Sequence, residues 1–384
     1  MVVLGFSALA QAQTFTTLYA FTGGSDGGLP YAALIQDQGG NLYGTASYGG
    51  YPGCGGYDCG VVFKVDTAGS ETVLHKFSGQ PDGAGPVAPL LQDSKGNLYG
   101  SAFRGGRQHD GVVFRIDAAG HEMVLYGFKG GTRGCSPAQG LIMDKAGNMY
   151  GTTYGCGTSK YGTVFKLTPQ GEEIVLHEFR GGSSDGAIPA YGHLIMDKAD
   201  NLYGVTEQGG GGDCKVYGYT GCGVLYKLTK KGKLTVLHSF AGGTSDGCLP
   251  VGTVATDSAG NFYGTTYQCG SNQLGTVWEV SKIGLETILH DFSGSPADGT
   301  SPAAGVVLDS NGNLYGNTAL GGAYGYGTVW ELGAGGTLTI LHSFDQTDGA
   351  EPFGEVLRTA NGELFGITAA ETDSDWGTVW SYVP

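Results

Sequence analysis

The chain has 384 residues, 74 of them glycine, and carries 35 acidic against 20 basic side chains for a formal net charge of −15. That field repels a phosphate backbone and excludes nucleic acid as a partner. A content of 40% hydrophobic residues with 22 tyrosines excludes disorder, since so much apolar surface will be buried, and after the N-terminus no stretch is long and apolar enough to span a bilayer.

Residues 1–12 form an apolar run with Ala-x-Ala sites at Ala8–Ala10 and Ala10–Ala12, which reads as a signal peptide whose usual basic start is missing. Residues 13–384 are then expected as one exported domain.

A repeat follows. Asn-Leu-Tyr-Gly or a close variant begins at Asn41, Asn97, Asn148, Asn201, Asn261, Asn313 and Glu363, at intervals of 56, 51, 53, 60, 52 and 50 residues. Three other segments keep step with it. Before it lies an apolar run ending in Asp, such as Leu34–Asp37, with Thr359 in place of Asp in the last copy. After it come Gly-Val/Thr-Val-aromatic, as at Gly162–Phe165, and Val-Leu-His-x-Phe, as at Val175–Phe179. Each is short, rich in β-branched and aromatic residues, and bounded by Gly, Asp, Asn or Pro, which are strand signals. We letter them A to D in the order apolar run, Asn-Leu-Tyr-Gly, Gly-Thr-Val-aromatic, Val-Leu-His-x-Phe. A four-stranded sheet cannot bury both faces alone, so seven such units predict an all-β fold, a seven-bladed β-propeller of four antiparallel strands per blade.

The connections agree. Asp-x-x-Gly-Asn between A and B is turn chemistry, with Asp accepting backbone N–H groups and Gly supplying φ > 0. Asp-Gly-x-x-Pro joins D to the next A in six blades, and Arg133–Pro137 replaces it in the third. The first strand in the chain, Thr16–Phe21, is a D copy, and the last, beginning at Gly377, is a C copy. Pairing Thr16–Phe21 beside Gly377–Tyr382 closes the ring and removes two exposed edges.

With Asn-Leu-Tyr-Gly-Thr, Gly-Thr-Val-Phe-Lys and Val-Leu-His-x-Phe recurring in order from residue 14 to 382, the chain resembles the Gloeo-Verruco (GloVer) tandem-repeat family of secreted bacterial proteins, described as choice-of-anchor proteins. The resemblance implies export and carries no established activity.

Eight cysteines formally allow 105 pairings. In the repeat frame Cys135 and Cys248 share a slot in D–A loops, and Cys156 and Cys269 share one just after strand B. Cys54 with Cys59, and Cys214 with Cys222, lie within B–C loops. Both loop types emerge on one face, so bridges 54–59, 135–156, 214–222 and 248–269 are expected there. A zinc site is the rival, but these cysteines form no CxxC pair. The same face carries the loops of variable length, where propellers usually bind.

Most candidate chemistry reduces to structure. His75, His177, His238, His290 and His342 share one D-strand slot, with Tyr19 and Tyr126 in the other blades, and so read as packing groups. His193 and Glu355 precede A strands and should approach the channel mouth near the loop face, where they could act as base and acid. The aspartates of Asp-Gly-x-x-Pro could ring the channel and hold Ca²⁺, but one per blade spreads them apart, and no cofactor is expected. Tyr51, Tyr57, Arg104, His109, Tyr154, Tyr217, Tyr219, Tyr267, Tyr324 and Trp376 fall in or beside the B–C loops as candidate ligand contacts. The expectation is a monomeric, non-catalytic exported binding or scaffold propeller whose partner is a polysaccharide or an extracellular protein. The alternative is a glycan-directed lyase or hydrolase using His193 and Glu355.

Overall fold

In a computed structural model, residues 13–54, 58–189, 191–216, 218–294, 296–369 and 376–384 are described. They form seven four-stranded antiparallel blades around one axis. The first blade runs Ile35–Gln36, Leu42–Ala46, Val61–Val65 and Glu71–Lys76, in that order from the axis outward. The expected signal peptide and Tyr57 and Tyr217 lie outside the described residues. Among those described, the only helical turn is Gly131–Arg133.

The last blade is completed by the N-terminal strand. Thr14–Ala20 runs antiparallel to Thr378–Val383, from Thr14 opposite Val383 to Ala20 opposite Thr378. The strand begins two residues before the expected Thr16, and Phe21 leaves the ladder while its N–H still donates to Gly377 O at 2.9 Å. Phe77 repeats that bond with Gly60 and Phe128 with Gly111, so the closing strand behaves like any other D strand.

Blade contacts explain the repeat. The Phe that ends each D strand packs on the C-strand aromatic of the next blade, from Phe21 on Phe63 (5.0 Å between centroids) round to Phe344 on Trp380 (6.1 Å). The joints between carry the same pair: Phe77–Phe114, Phe128–Phe165, Phe179–Tyr226, Phe240–Trp278 and Phe292–Trp330. The Gly of Asn-Leu-Tyr-Gly makes room for that ring, since a Cβ on Gly44 would lie 2.5 Å from Phe63 Cζ. C strands are accordingly buried on both faces, and Trp278, Trp330 and Trp380 are wholly buried.

The turns hold as their chemistry requires. Asp37 accepts N–H bonds from Gly39 and Asn41, a third from the Asn41 side chain and a fourth from the Tyr43 hydroxyl, all within 2.8–2.9 Å. These bonds hold the Asp37 carboxyl below its ordinary range against the opposing effect of its own partial burial.

Strand A departs from expectation. The apolar run reaches four residues, yet only two join the ladder in most blades, as Ile35–Gln36 does. Strands converge toward the axis, and the residues before each pair turn inward across it instead. In the fifth blade Gly247–Thr256 is continuous, broken in register between Val251 and Ala255.

Candidate functional site

Those inward-turning residues build the axis. After the Pro of the D–A loop, Tyr31, Val87, Val251, Ala303 and Phe353 stand in one slot of five blades. The fourth blade carries one residue more between Pro189 and Leu194 than the others have, and Tyr191 comes to the axis there. B strands in blades four and five extend to eight residues, Leu202–Gly209 and Phe262–Cys269. Their extensions raise Glu207 and Tyr267 beside the axis. Together with Leu249 and Gln268 these groups line a bowl of about 410 Å³.

The bowl opens on the disulfide-bearing side. The bridges join Cys54 to Cys59, Cys135 to Cys156, Cys214 to Cys222 and Cys248 to Cys269, the pairs the repeat frame pointed to. Cys248 and Cys269 flank Leu249 and Gln268 directly, so this bridge props the bowl wall. Tyr31 and Phe353 meet edge to face at 5.5 Å. Tyr191 is 45% exposed, a large ring offered to solvent. Glu207 is half-buried, and removal of water pushes its carboxyl up to about 7.

Beneath the bowl the channel closes. The space among Tyr31, Val87, Tyr191, Gly192, Gly252, Phe353 and Glu355 is about 30 Å³, room for a single water. The backbones touch here, for a Cβ on Gly252 would collide with the Gly305 backbone.

His193 and Glu355 are linked through Thr253 at this plug, which Glu355 itself lines. Glu355 Oε1 accepts the Thr253 N–H in a short bond, and the Thr253 hydroxyl lies 3.0 Å from His193 Nδ1. Thr253 Oγ1 also accepts the His193 N–H at 3.0 Å. Both side chains line a cleft of about 800 Å³ with Asp197, Asp257, Gly260 and Lys282, which belong to A–B and C–D turns. They therefore face the turn side of the ring, whereas the channel mouth on the loop side was expected.

The aspartates proposed for a Ca²⁺ ring lie far from the axis. Asp82, Asp185, Asp298 and Asp348 bond the outer-strand histidines His75, His177, His290 and His342 at 3.1, 3.0, 3.2 and 2.6 Å. Asp26 takes the Tyr19 hydroxyl at 2.9 Å. A ring around the channel is ruled out because the carboxylates hold the D strands.

Of the other described candidates, Tyr267 alone lines the bowl. Tyr51 is 54% exposed and lies beside His75 and Asp82 at the rim. His109 bonds Gln80 at 2.7 Å. Arg104 pairs with Ala84 across the D–A loop. Tyr154 stands 6.2 Å from Phe103, Tyr219 lies in the short strand Tyr219–Thr220, and Tyr324 is exposed. Trp376 stacks on Tyr48 at 4.8 Å and packs over Gly23 and Gly28, a structural placement. Sequence reasoning missed Tyr31, Tyr191, Glu207 and Phe353, although the slot after Pro and the extra residue in blade four were signals for three of them.

Fold and site together define a seven-bladed tandem-repeat propeller, plugged at its axis and stapled on its loop face. Among curated proteins, none matches it in sequence. The chain belongs to the family described as the Gloeobacter/Verrucomicrobia repeat, whose model matches residues 54–221 and 214–384. Among solved structures it is similar to the extracellular domain of a protein assigned as a one-component system from B. thetaiotaomicron, with a TM-score of 0.58 and 10% identity over 95% of this chain and 39% of that one. It is also similar to a protein assigned as a 6-phosphogluconolactonase from Bacteroides uniformis, with a TM-score of 0.53 and 14% identity over 91% of this chain and 99% of that one. At such identities the likeness is one of fold.

Proposed function

We propose that the chain is an exported, monomeric binding propeller that takes a polysaccharide in the axial bowl. The observation that carries this reading is the wall of Tyr31, Tyr191, Tyr267 and Phe353 around a closed floor, with Glu207 and Gln268 as its polar groups. Aromatic faces stack on the apolar faces of sugar rings, and a few polar groups then fix orientation. A plugged axis favours capture of a chain end or a bend over threading. The four disulfides suit an oxidising compartment, and no helix among the described residues is long and apolar enough to cross a membrane.

Catalysis is the second reading, and one observation favours it. Glu207 with its carboxyl near 7 resembles a general acid in its environment. Glycoside hydrolysis generally asks for a second carboxylate across the scissile bond. The described bowl residues supply none, and Glu355 lines the plug and the cleft beneath it rather than the bowl.

A glycan array followed by calorimetry on the hits tests the proposal, with a reducing-sugar assay run alongside. Tyr191→Ala and Tyr267→Ala should each weaken binding at least about tenfold, roughly 1.4 kcal/mol. Binding indifferent to both variants would overturn the assignment of the bowl, and turnover lost in Glu207→Gln would favour the enzyme.

A further inference from the structure

We propose that His238, Asp246 and Glu286 form a Zn²⁺ site at the outer edge of the joint between the fourth and fifth blades. The comparison that reveals it is internal to the ring. Four of the five D-strand histidines sit within hydrogen-bond reach of their loop aspartate, at 2.6–3.2 Å. His238 is the exception. Its Nε2 stands 3.8 Å from Asp246 and 3.5 Å from Glu286, and bonds neither.

The two carboxylates share that condition. Asp185 and Asp298 each use Oδ1 to accept the N–H of the following glycine at 2.8 Å. Asp246 accepts the Ala241 N–H through Oδ2, while its Oδ1 is buried without a partner in a residue only 7% exposed. Glu286 Oε1 is buried and unpartnered too. His238 Nε2 and one oxygen of each carboxylate converge within 4.8 Å of one another, and His238 Nε2, Asp246 Oδ1 and Glu286 Oε1 are all buried without a hydrogen-bond partner. Buried polar groups left without partners are costly, and a ligand that satisfies them relieves that cost.

The geometry and the donor set point to one occupant. A tetrahedral Zn²⁺ with bonds of about 2.0–2.2 Å holds its ligand atoms roughly 3.3–3.6 Å apart. The 3.5 Å from His238 to Glu286 falls in that range and the 3.8 Å to Asp246 lies just above it, both long for hydrogen bonds. One imidazole and two carboxylates leave a fourth position for water, which reaches the site because His238 and Glu286 keep 15% and 13% of their side chains exposed. At the joint between blades two and three, the matching Glu173 meets the Arg133 guanidinium at 2.9 Å. Among the described residues His238 is the one basic partner of Asp246 and Glu286, and a bound cation takes the place that the Arg133 guanidinium has beside Glu173.

The repeat also supplies variants that fold. Leu234 and Leu338 occupy the Glu286 position in neighbouring blades, and Tyr19 and Tyr126 occupy that of His238. Protein stripped with EDTA and titrated calorimetrically with Zn²⁺ should bind one equivalent, with a rise in melting temperature. Glu286→Leu and His238→Tyr should each weaken that binding at least tenfold, while Glu122→Leu, at a joint where His75 already bonds Asp82, should leave it unchanged. Absence of Zn²⁺ binding in the wild type would overturn the proposal and assign the pair a shared proton. Binding of equal strength in both site variants would overturn it as well.

Discussion

Phe15 of the N-terminal strand lies flat on His342 of the sixth blade, with ring centroids 3.6 Å apart and planes 5° from parallel. Phe15 stands where other D strands carry Glu71, Glu122, Glu173 and Glu286, or Leu234 and Leu338. At the joint between blades two and three Glu173 in this position accepts bonds from Tyr126 and Arg133, and at the closing joint the contact is an aromatic stack. His342 is held from its other end by Asp348 at 2.6 Å. Phe15→Ala should therefore cost about 1–2 kcal/mol for a half-buried ring and its stack. Urea denaturation measures this, and hydrogen exchange should show extra opening confined to Thr14–Ala20 and Thr378–Val383.

The Asp turns make a second test through a coordinated exception. In blade seven the Asp, Asn and Tyr of the other blades become Thr359, Glu363 and Phe365 together. In blade three Asp144 accepts bonds from Ala146, Asn148 and the Tyr150 hydroxyl. Asp144→Thr alone should cost roughly 2 kcal/mol, because it strands the Asn148 amide and the Tyr150 hydroxyl. Adding Asn148→Glu and Tyr150→Phe should recover part of that loss. A triple variant no more stable than the single one would show that the set is not coupled.

Why so much of the ring was legible follows from the same residues. Gly44, Phe63 and Phe77 are fixed by contacts that recur at every joint, so seven copies announce them in the sequence. Cys135 with Cys156, and Cys248 with Cys269, fall in slots that face each other across a hairpin, and the frame pairs them. The bowl follows no such rule. Its residues are single side chains from different blades, met only at the axis, and they vary where the repeat is free to vary. Glu207 escaped because it fills the slot of Tyr154 and Tyr267 in their blades, where aromatic rings drew notice. The contact of Gly252 with the Gly305 backbone, which closes the axis beside Glu355, leaves no trace in spacing.

Disulfide removal should separate stability from binding. Each 21-residue bridge closes a loop worth about 3 kcal/mol on the chain-entropy estimate. Replacing Cys135 and Cys156 by serine should lower stability by about that amount and leave glycan affinity unchanged. Replacing Cys248 and Cys269 should cost as much stability and also weaken binding several-fold, since Leu249 and Tyr267 lose their prop. Denaturant midpoints and calorimetry on the two double variants distinguish these outcomes.

The last prediction concerns pH and rests on Glu207, whose carboxyl is raised to about 7 by loss of water. Its folded form holds a proton that the unfolded chain releases near the ordinary glutamate value, so its stabilising contribution is complete below that value. The contribution is lost as pH rises toward and through 7, an effect on the order of 2 kcal/mol. Glu207→Gln should abolish this slope and make the protein more stable than wild type above pH 7. Binding carries the same sign. A neutral sugar covering the bowl strips further water from the carboxylate, raises it again and takes up a proton, so affinity should fall as pH passes from 6 to 8. Calorimetry in buffers of different ionisation enthalpy reads that proton directly. Proton uptake in the wild type that vanishes in Glu207→Gln is the expected result, and a pH-independent affinity in the wild type would place the ligand away from Glu207.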